Sequence, residues 1–539
     1  MINRREFLFA SAGSAAALSF AGRLASQPAA PRPAKTTIGL VHSAHRQLVQ
    51  PASPEDPLDY GRVRAMVWQA IDYAGGFAHR IRPGAWVVVK PNIVFLRPQP
   101  GYRSGDITDV RVTKAVVEYL ARHSKAGRIT VAEGGSYRAL HDPNVNDFVT
   151  QSGQRVNALT FDWGTDEFPG YGGTLSGMLQ EFGAKFPQKR FDYVDLSYDA
   201  VRDASGAFQR IEVPRTNGGI GGFGARTDYF ITNTIRNCDF LVSVPVMKVH
   251  DQCGITASLK NYVGTAPREA YASAEGFWNS HLHEQHSLDG RIDSFITDLA
   301  AFHPPDFCVI DGIRGLQNTE HDNGRSDQII RNNLILASGD PVAADAMVAK
   351  LLGFNPWDIE FLHMAQQREM GHMELDKADI IGDDPAPLIK AWGKPKNWYG
   401  RANREWWLTA DATAPLASWS SHTAPTDTLD FAKWQRQSHA QGRSYAAAVR
   451  VIAEGHRKAY LWVGARGHVT AELNGETVMS EENLTRYRIG QFQTPVELRT
   501  GENLLLFRVQ AEKTSPQLSV LLVRPQNDGD TVDGIRWMA

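Results

Sequence analysis

The chain has 539 residues, 42% of them apolar and 22% charged, a balance that excludes disordered and collagen-like classes. That length exceeds what one ordinary core supports, so at least two domains are expected. A formal net charge of −2 provides no basic field for a polyanion, so nucleic acid is not an expected partner.

The first element is a transport address. Asn3-Arg4-Arg5-Glu6-Phe7-Leu8 fits a twin-arginine pattern, in which the translocase reads Arg4 and Arg5. Phe7 to Gly22 follows as an Ala/Gly/Ser-rich core, shorter than the roughly 20 apolar residues a membrane span needs. Ser19-Phe-Ala21 offers small residues for cleavage, with Ala25 a second candidate. Residues 1–35 therefore read as signal and linker, the mature protein as periplasmic or secreted, and no stable membrane span is expected. This route exports folded proteins, often with a cofactor installed.

From residue 36 to about 385, apolar strands alternate with helical patterns. Thr37-Ile-Gly-Leu-Val-His42 is a strand, and Val63, Met66, Val67, Ala70, Ile71 and Ala74 mark one face of a helix. Trp86 to Lys90 is a strand, Val112 to Leu120 repeats the helical spacing, and Arg128 to Glu133 returns to strand. Further strands are expected at Phe191 to Leu196, Phe240 to Val246, Phe307 to Ile310, Leu334 to Ala337 and Ile380-Ile381. Helices fit Leu288 to Phe302 and Pro341 to Leu352, the second with proline in its first turn. Continuously apolar strands between helices imply an α/β fold, a mostly parallel sheet covered by helices on both faces. Residues 386–404 read as a linker. From 405 to 539 strands follow one another, punctuated by Asn474-Gly475 and Gly501-Glu-Asn503, which implies an all-β sandwich.

Polar residues gather where the α/β strands end, and ligands bind beyond the carboxyl ends of parallel strands. Lys90-Pro-Asn92, Glu133-Gly-Gly-Ser136, Lys248 with His250, Asp311-Gly312 and Ser338-Gly-Asp340 are five such exits, and Ser258-Leu-Lys-Asn261 follows the third. Period-2 geometry puts Lys248 and His250 on one side if the strand continues that far. A core has no use for two amines, an imidazole and an amide at one strand end, whereas an anionic substrate does. Lys90, Asn92, Lys260 and Asn261 are the candidate substrate-binding residues, with Lys248 also able to hold the anion. His250 is the first candidate for general acid or base, with Lys248 and Glu133 beside it. Asp311 and Asp340 are candidate ligands for a divalent metal.

The ordered set Val-Val-Val-Lys90-Pro-Asn, Thr-Val-Ala-Glu133-Gly-Gly, Val-Pro-Val-Met-Lys248-Val-His, Leu-Lys260-Asn-Tyr-Val-Gly, Val-Ile-Asp311-Gly-Ile and Leu-Ala-Ser-Gly-Asp340-Pro-Val-Ala-Ala-Asp345 resembles the domain-of-unknown-function family 362. The resemblance spans roughly residues 36–385, supports the fold and the site residues, and names no reaction. Some members of that family carry a ferredoxin-like cysteine segment. Cys238, Cys253 and Cys308 form no such run, so no iron–sulfur cluster is expected. Thr108-Asp109-Val110 stands where the family pattern tends to read Thr-Asp-Pro, a departure at a helix cap. Ala459-Tyr-Leu-Trp, Glu472-Leu-Asn-Gly475 and Gly501-Glu-Asn-Leu-Leu-Leu506 resemble the galactose-binding-like modules often attached to carbohydrate-active enzymes, which implies a carbohydrate contact or a docking role.

Three other motifs read more simply. Gly219-Ile-Gly221-Gly-Phe-Gly224 spells GxGxxG but opens no amphipathic helix, so a loop is favoured over a dinucleotide site. His281, His283, Glu284 and His286 have usable metal spacing but read first as a wet helix start. Trp406, Trp407, Trp419 and Trp434 read first as core rather than a sugar platform. The chain reads as an exported enzyme for a small anionic or carbohydrate-derived substrate, by acid–base or metal-assisted chemistry. The alternatives are a non-catalytic periplasmic ligand-binding protein and a redox protein with an installed cofactor.

Overall fold

A computed structural model describes residues 36–45, 58–94, 105–134, 146–149, 155–158, 163–164, 167–168, 171–271, 291–320, 326–438, 444–483, 486–510 and 516–539. Arg4, Arg5 and the His281–His286 cluster lie outside the described residues. Thr36–Ala539 form one compact unit. Its first part is mixed α/β, built on an eight-stranded sheet. The strands are β1 (Thr37–His42), β2 (Trp86–Pro91), β3 (Arg128–Glu133), β4 (Arg190–Asp195), β5 (Phe240–Val244), β8 (Phe307–Leu316), β9 (Ile329–Ser338) and β10 (Asp379–Gly382). Between β5 and β8, β6 (Lys248–His250) and β7 (Gly254–Thr256) pair as a separate antiparallel hairpin.

The sheet order is β10-β1-β9-β8-β5-β2-β3-β4. Every neighbouring pair is parallel except the two that involve β9, which runs against the rest. From β2 the chain builds outward through β3 to β4, then returns to lay β5 on the other side of β2. The order reverses between β2 and β5, which places a crevice at their carboxyl ends.

Alternation along the strands sorts the core. Val41, Val87 and Val89 cluster with Val63, Met66 and Val67 of α1 (Tyr60–Tyr73) and with Val112 and Val116 of α2 (Val110–His123). The intervening Leu40 and Val88 join a second cluster with Phe295 of α5 (Asp293–Phe302) and Met347 of α6 (Pro341–Leu351). Each such side chain, fully buried, contributes roughly 1.5–3 kcal/mol, so the period of two decides which helix each strand residue supports. Gly39 is needed here. A β-carbon on it would collide with the Ala70 carbonyl, so only glycine lets α1 sit this close to β1. α3 (Leu175–Lys185) and the short α4 (Asn233–Asn237) complete the elements used below.

The C-terminal part is a curled antiparallel sheet, β-sandwich-like, with a helix at Phe431–Ser438. Its 17-residue strand Arg457–Leu473 pairs with Gln517–Val523 through its first half and with Gly501–Gln510 through its second. Trp406 and Trp434 are buried in this core, while Trp407 packs beneath Arg450 and Trp419 donates to the Ala414 carbonyl. The four tryptophans therefore have different jobs. Among the described residues, no helix is long and apolar enough to cross a membrane.

Candidate functional site

The crevice between β2 and β5 holds most of the residues singled out by sequence. At the end of β2, Lys90 Nζ lies 3.0 Å from both oxygens of Glu133 at the end of β3, and 2.9 Å from Asn261 Oδ1. Glu133 also accepts the Ile93 and Gly134 amides, each at 2.8 Å. Asn261 donates to the Lys90 carbonyl and to Ser243 Oγ of β5, at 2.9 and 3.1 Å. All four side chains are buried. Gly264 lies over this group, and a β-carbon there would sit 2.7 Å from Lys90 Nζ and collide with Glu133. Burial pulls the Lys90 amine below its usual range, opposed by the Glu133 carboxylate. Lys90, Glu133 and Asn261 are thus brought together, as a closed and internally satisfied network.

The segment Ser258–Asn261 is held by a residue deep in α6. Asp345 accepts the Ser258 and Leu259 amides, each at 2.8 Å, and burial pushes its carboxyl up to about 8. That anchor presents the next side chain, Lys260, at the crevice. Lys260 is 6% exposed, and its ammonium meets no hydrogen-bond or ion-pair partner among the described residues. Burial draws its pKa down, while Cys253 and Glu320 pull it back up and Arg268 adds to the lowering. Asn92, beyond β2, is also buried, and its Oδ1 accepts no hydrogen bond among the described residues.

Lys248 does something different from its expected partnership with His250. Its ammonium, wholly buried, donates to the carbonyls of Asp106 and Glu320, each at 2.7 Å, so it ties two loops to the hairpin. Burial brings it down to about 8, opposed by Asp106. His250 Nδ1 accepts the Gln252 amide at 3.2 Å, and its Nε2 stands 3.9 Å from Glu320 Oε1. Asp251, next in the chain, receives the Thr319 hydroxyl at 3.4 Å. Burial and the charge of Glu320 raise it to about 6.

The two expected metal ligands are not brought together. Asp311 accepts the Asp109 and Ile313 amides at 2.7 and 2.9 Å, and burial with the Asp109 carboxylate raises it to about 7. It docks the start of α2, where Asp109 is the N-cap and Val110 takes the position a proline often fills. Asp340 lies at the other end of the sheet. β9 runs antiparallel, so Ser338 pairs with Cys308, three residues back along β8 from Asp311, and Asp340 lies further still. There Asp340 caps α6 through the Val342 and Ala343 amides and receives the Thr36 hydroxyl. The sequence hides this reversal, because an apolar strand reads the same in either direction. Among the described residues no group of three or more His, Cys, Asp or Glu is arranged to hold a metal ion. All three cysteines are buried.

Glu320, Asp251 and Arg268 were not singled out by sequence. Arg268, half-buried and lowered to about 10 by desolvation against the pull of Glu133, sits in a single helical turn with no motif to mark it. Asp251 adjoins His250, and that adjacency was the available signal.

The GxGxxG stretch is a loop whose closing Phe223 and Gly224 amides are already taken. Asp298 accepts the Phe223 and Gly224 amides at 2.9 to 3.0 Å and the Tyr229 hydroxyl at 2.9 Å. A carboxylate occupies the position a phosphate would need.

A family profile described as a domain of unknown function (DUF362) matches residues 201–350, which hold β5 to β9, Lys248, His250, Lys260 and Asp311. No curated protein matches the chain. Among solved structures, a β-glucosidase from Kluyveromyces marxianus is similar at 6% identity over 23% of this chain and 17% of that one, with a TM-score of 0.19. A glycosyl hydrolase family 2 member from Bacteroides cellulosilyticus is similar at 14% identity over 22% of this chain and 20% of that one, TM-score 0.16. The chain therefore spans about a fifth of the length of those structures. The lactate racemase apoprotein from Thermoanaerobacterium thermosaccharolyticum is similar at 12% identity over 54% of this chain and 55% of that one, TM-score 0.28. Likenesses this weak identify neither fold nor chemistry.

Proposed function

We propose that this chain is an exported enzyme that takes a small anionic substrate at the crevice between β2 and β5 and acts on it by acid–base chemistry. Lys260 carries the reading. An ammonium on a side chain only 6% exposed and without a bonded partner is poorly solvated, and a bound carboxylate or phosphate would offset that cost. Asn92 Oδ1, enclosed and unpartnered at the neighbouring strand end, would receive a hydrogen-bond donor of the same ligand. His250, Glu320 and Asp251 supply the proton-transfer groups, Asp251 already displaced toward neutrality. Helices over both faces of the sheet, as its apolar strands imply, would leave the strand ends as the way in. Arg4 and Arg5 with the short apolar core support export through the twin-arginine translocase.

The test is calorimetric titration of the purified full chain with acetate and with inorganic phosphate. Saturable binding of either anion, lost in Lys260→Met, supports the reading; binding unchanged in that variant removes it. In the C-terminal part, an open groove of about 780 Å³ lined by Tyr460, Asn474, Glu497 and Arg499 supports a carbohydrate contact. Silence of the full chain on a glycan array would leave docking as its role.

A further inference from the structure

At the amino-terminal end of the sheet, away from the crevice, a thiol, an imidazole and a carboxylate stand in line. Cys238 closes α4, His303 follows α5, and Asp306 leads into β8. Cys238 Sγ lies 3.8 Å from His303 Nδ1, and His303 Nε2 lies 3.3 Å from Asp306 Oδ2. The thiol also reaches the Ile235 carbonyl at 3.5 Å.

The base and its orienting group are fixed from several sides. Asp306 Oδ2 accepts the Leu241 amide at 2.9 Å, Arg80 Nη2 stands 3.9 Å from its Oδ1, and Arg80 Nη1 donates to its carbonyl at 3.0 Å. Tyr262 donates its hydroxyl to the His303 carbonyl. Burial lowers His303, but Cys238 and Asp306 outweigh it and hold the imidazole up to about 10. The imidazole is therefore a ready acceptor for the Cys238 proton. A nucleophile beside a base that a third group orients is the arrangement of an activated thiol.

Exposure separates this cysteine from the others. Cys253 and Cys308 are fully enclosed, whereas Cys238 retains 6% of its surface and the His303 side chain 18%. Nothing at the anion crevice uses these three groups.

We propose that Cys238 is a nucleophilic thiol site, activated by His303 and positioned through Asp306, that takes up small-molecule disulfides from solvent. The Cys238 proton passes to the imidazole and the sulfur attacks one sulfur of the disulfide. The old S–S bond breaks, and the leaving thiolate takes up a proton. One protein thiol and one disulfide become one mixed disulfide and one small thiol, so no further oxidant is needed.

The experiment treats the native full chain with excess 5,5′-dithiobis(2-nitrobenzoate), follows the released thiolate, and locates the adduct by peptide mapping. One equivalent should react at Cys238, about tenfold or more faster than at Cys253 or Cys308. His303→Gln should slow that phase by about tenfold, and Asp306→Asn by less, since the amide keeps an acceptor for Leu241. Continued protection of Cys253 and Cys308 in the same digest reports that a variant is folded. A His303→Gln protein that exposes all three hands the comparison to Asp306→Asn. First reaction at either enclosed cysteine, or a Cys238 rate that neither folded variant changes, overturns the proposal.

Discussion

Lys90 and Glu133 face each other from the ends of neighbouring parallel strands, with the ammonium 3.0 Å from both carboxylate oxygens and neither side chain in contact with bulk water. Removing one partner strands the other charge in the interior. Lys90→Met should therefore cost about 3–5 kcal/mol in denaturant unfolding. Adding Glu133→Leu should restore part of that loss, because the remaining charge goes with it. Equal stability of the single and double variants would show that the two are not energetically coupled.

Lys260 should behave in the opposite sense. Its side chain is 6% exposed and its ammonium has no bonded partner among the described residues, so Lys260→Met removes a poorly solvated charge while keeping most of the stem. The ligand-free variant should be more stable than the parent by about 1 kcal/mol and should bind acetate or phosphate at least about tenfold more weakly. Thermal melts with and without each anion measure both. A less stable variant with unchanged affinity would make Lys260 a structural residue.

His250 separates catalysis from capture. His250→Gln fills similar space and can still accept the Gln252 amide, but it cannot cycle a proton near neutral pH. Anion affinity should change less than about threefold, while any turnover found for the parent should fall by about a hundredfold or more. Parallel titration and product assays decide it. Intact turnover would move the proton-transfer role to Asp251 and Glu320.

The strand ends were legible in the sequence because each is an apolar run terminating in a charged or amide group. Lys90, Glu133 and Asn261 do meet, as that pattern implies. Direction was not legible. β9 is as apolar as its neighbours, so nothing in Leu334 to Ala337 tells that it runs backward and carries Asp340 to the far end. Partnership was not legible either, since Lys248 and Lys260 are the same residue type in neighbouring polar segments. Only the fold gives one of them two carbonyls and leaves the other none. The thiol line at Cys238 joins three elements through residues 65 positions apart, beyond the reach of any local pattern.

The glycine-rich loop should be held by one carboxylate. Asp298→Asn offers one acceptor oxygen where two now receive the Phe223 and Gly224 amides and the Tyr229 hydroxyl. Losing that set should cost about 1–3 kcal/mol and raise proteolytic cleavage within residues 214–224. Added dinucleotide should not restore protection, because the amides bind an internal acceptor in the parent. Restoration would return the loop to the list of phosphate sites.

The C-terminal part should depend on the α/β part more than its own strand pattern suggests. Asp427 is buried against Arg404, at 2.9 to 3.0 Å, and against Arg291, at 3.4 Å, while Arg404 also reaches Glu360 at 2.8 Å. Expressed alone, residues 405–539 would leave Asp427 without either arginine. Such a fragment should melt well below the full chain, and Asp427→Leu within it should raise the midpoint by relieving the unpaired charge. A fragment that melts like the full chain would show that the contact adds little.

The same junction should make stability depend on pH. Asp358 receives the Thr531 amide and hydroxyl, each at 2.7 Å, and burial with the facing Asp530 carboxylate pushes it up to about 7. In the unfolded chain an aspartate titrates near 4. Between about pH 4 and pH 7 the folded protein therefore holds a proton that the unfolded chain has released. Unfolding stability then falls as pH rises through that window, since the native state binds more protons, and the contribution is gone above it. Going from pH 5 to pH 8 should lower stability by on the order of 2–3 kcal/mol through this group. Asp358→Asn, uncharged at both values and still able to accept one Thr531 donor, should flatten the dependence and be the more stable protein at pH 8. Unfolding midpoints at pH 5, 6, 7 and 8 for both proteins test it, and parallel curves would assign the pH dependence to other groups.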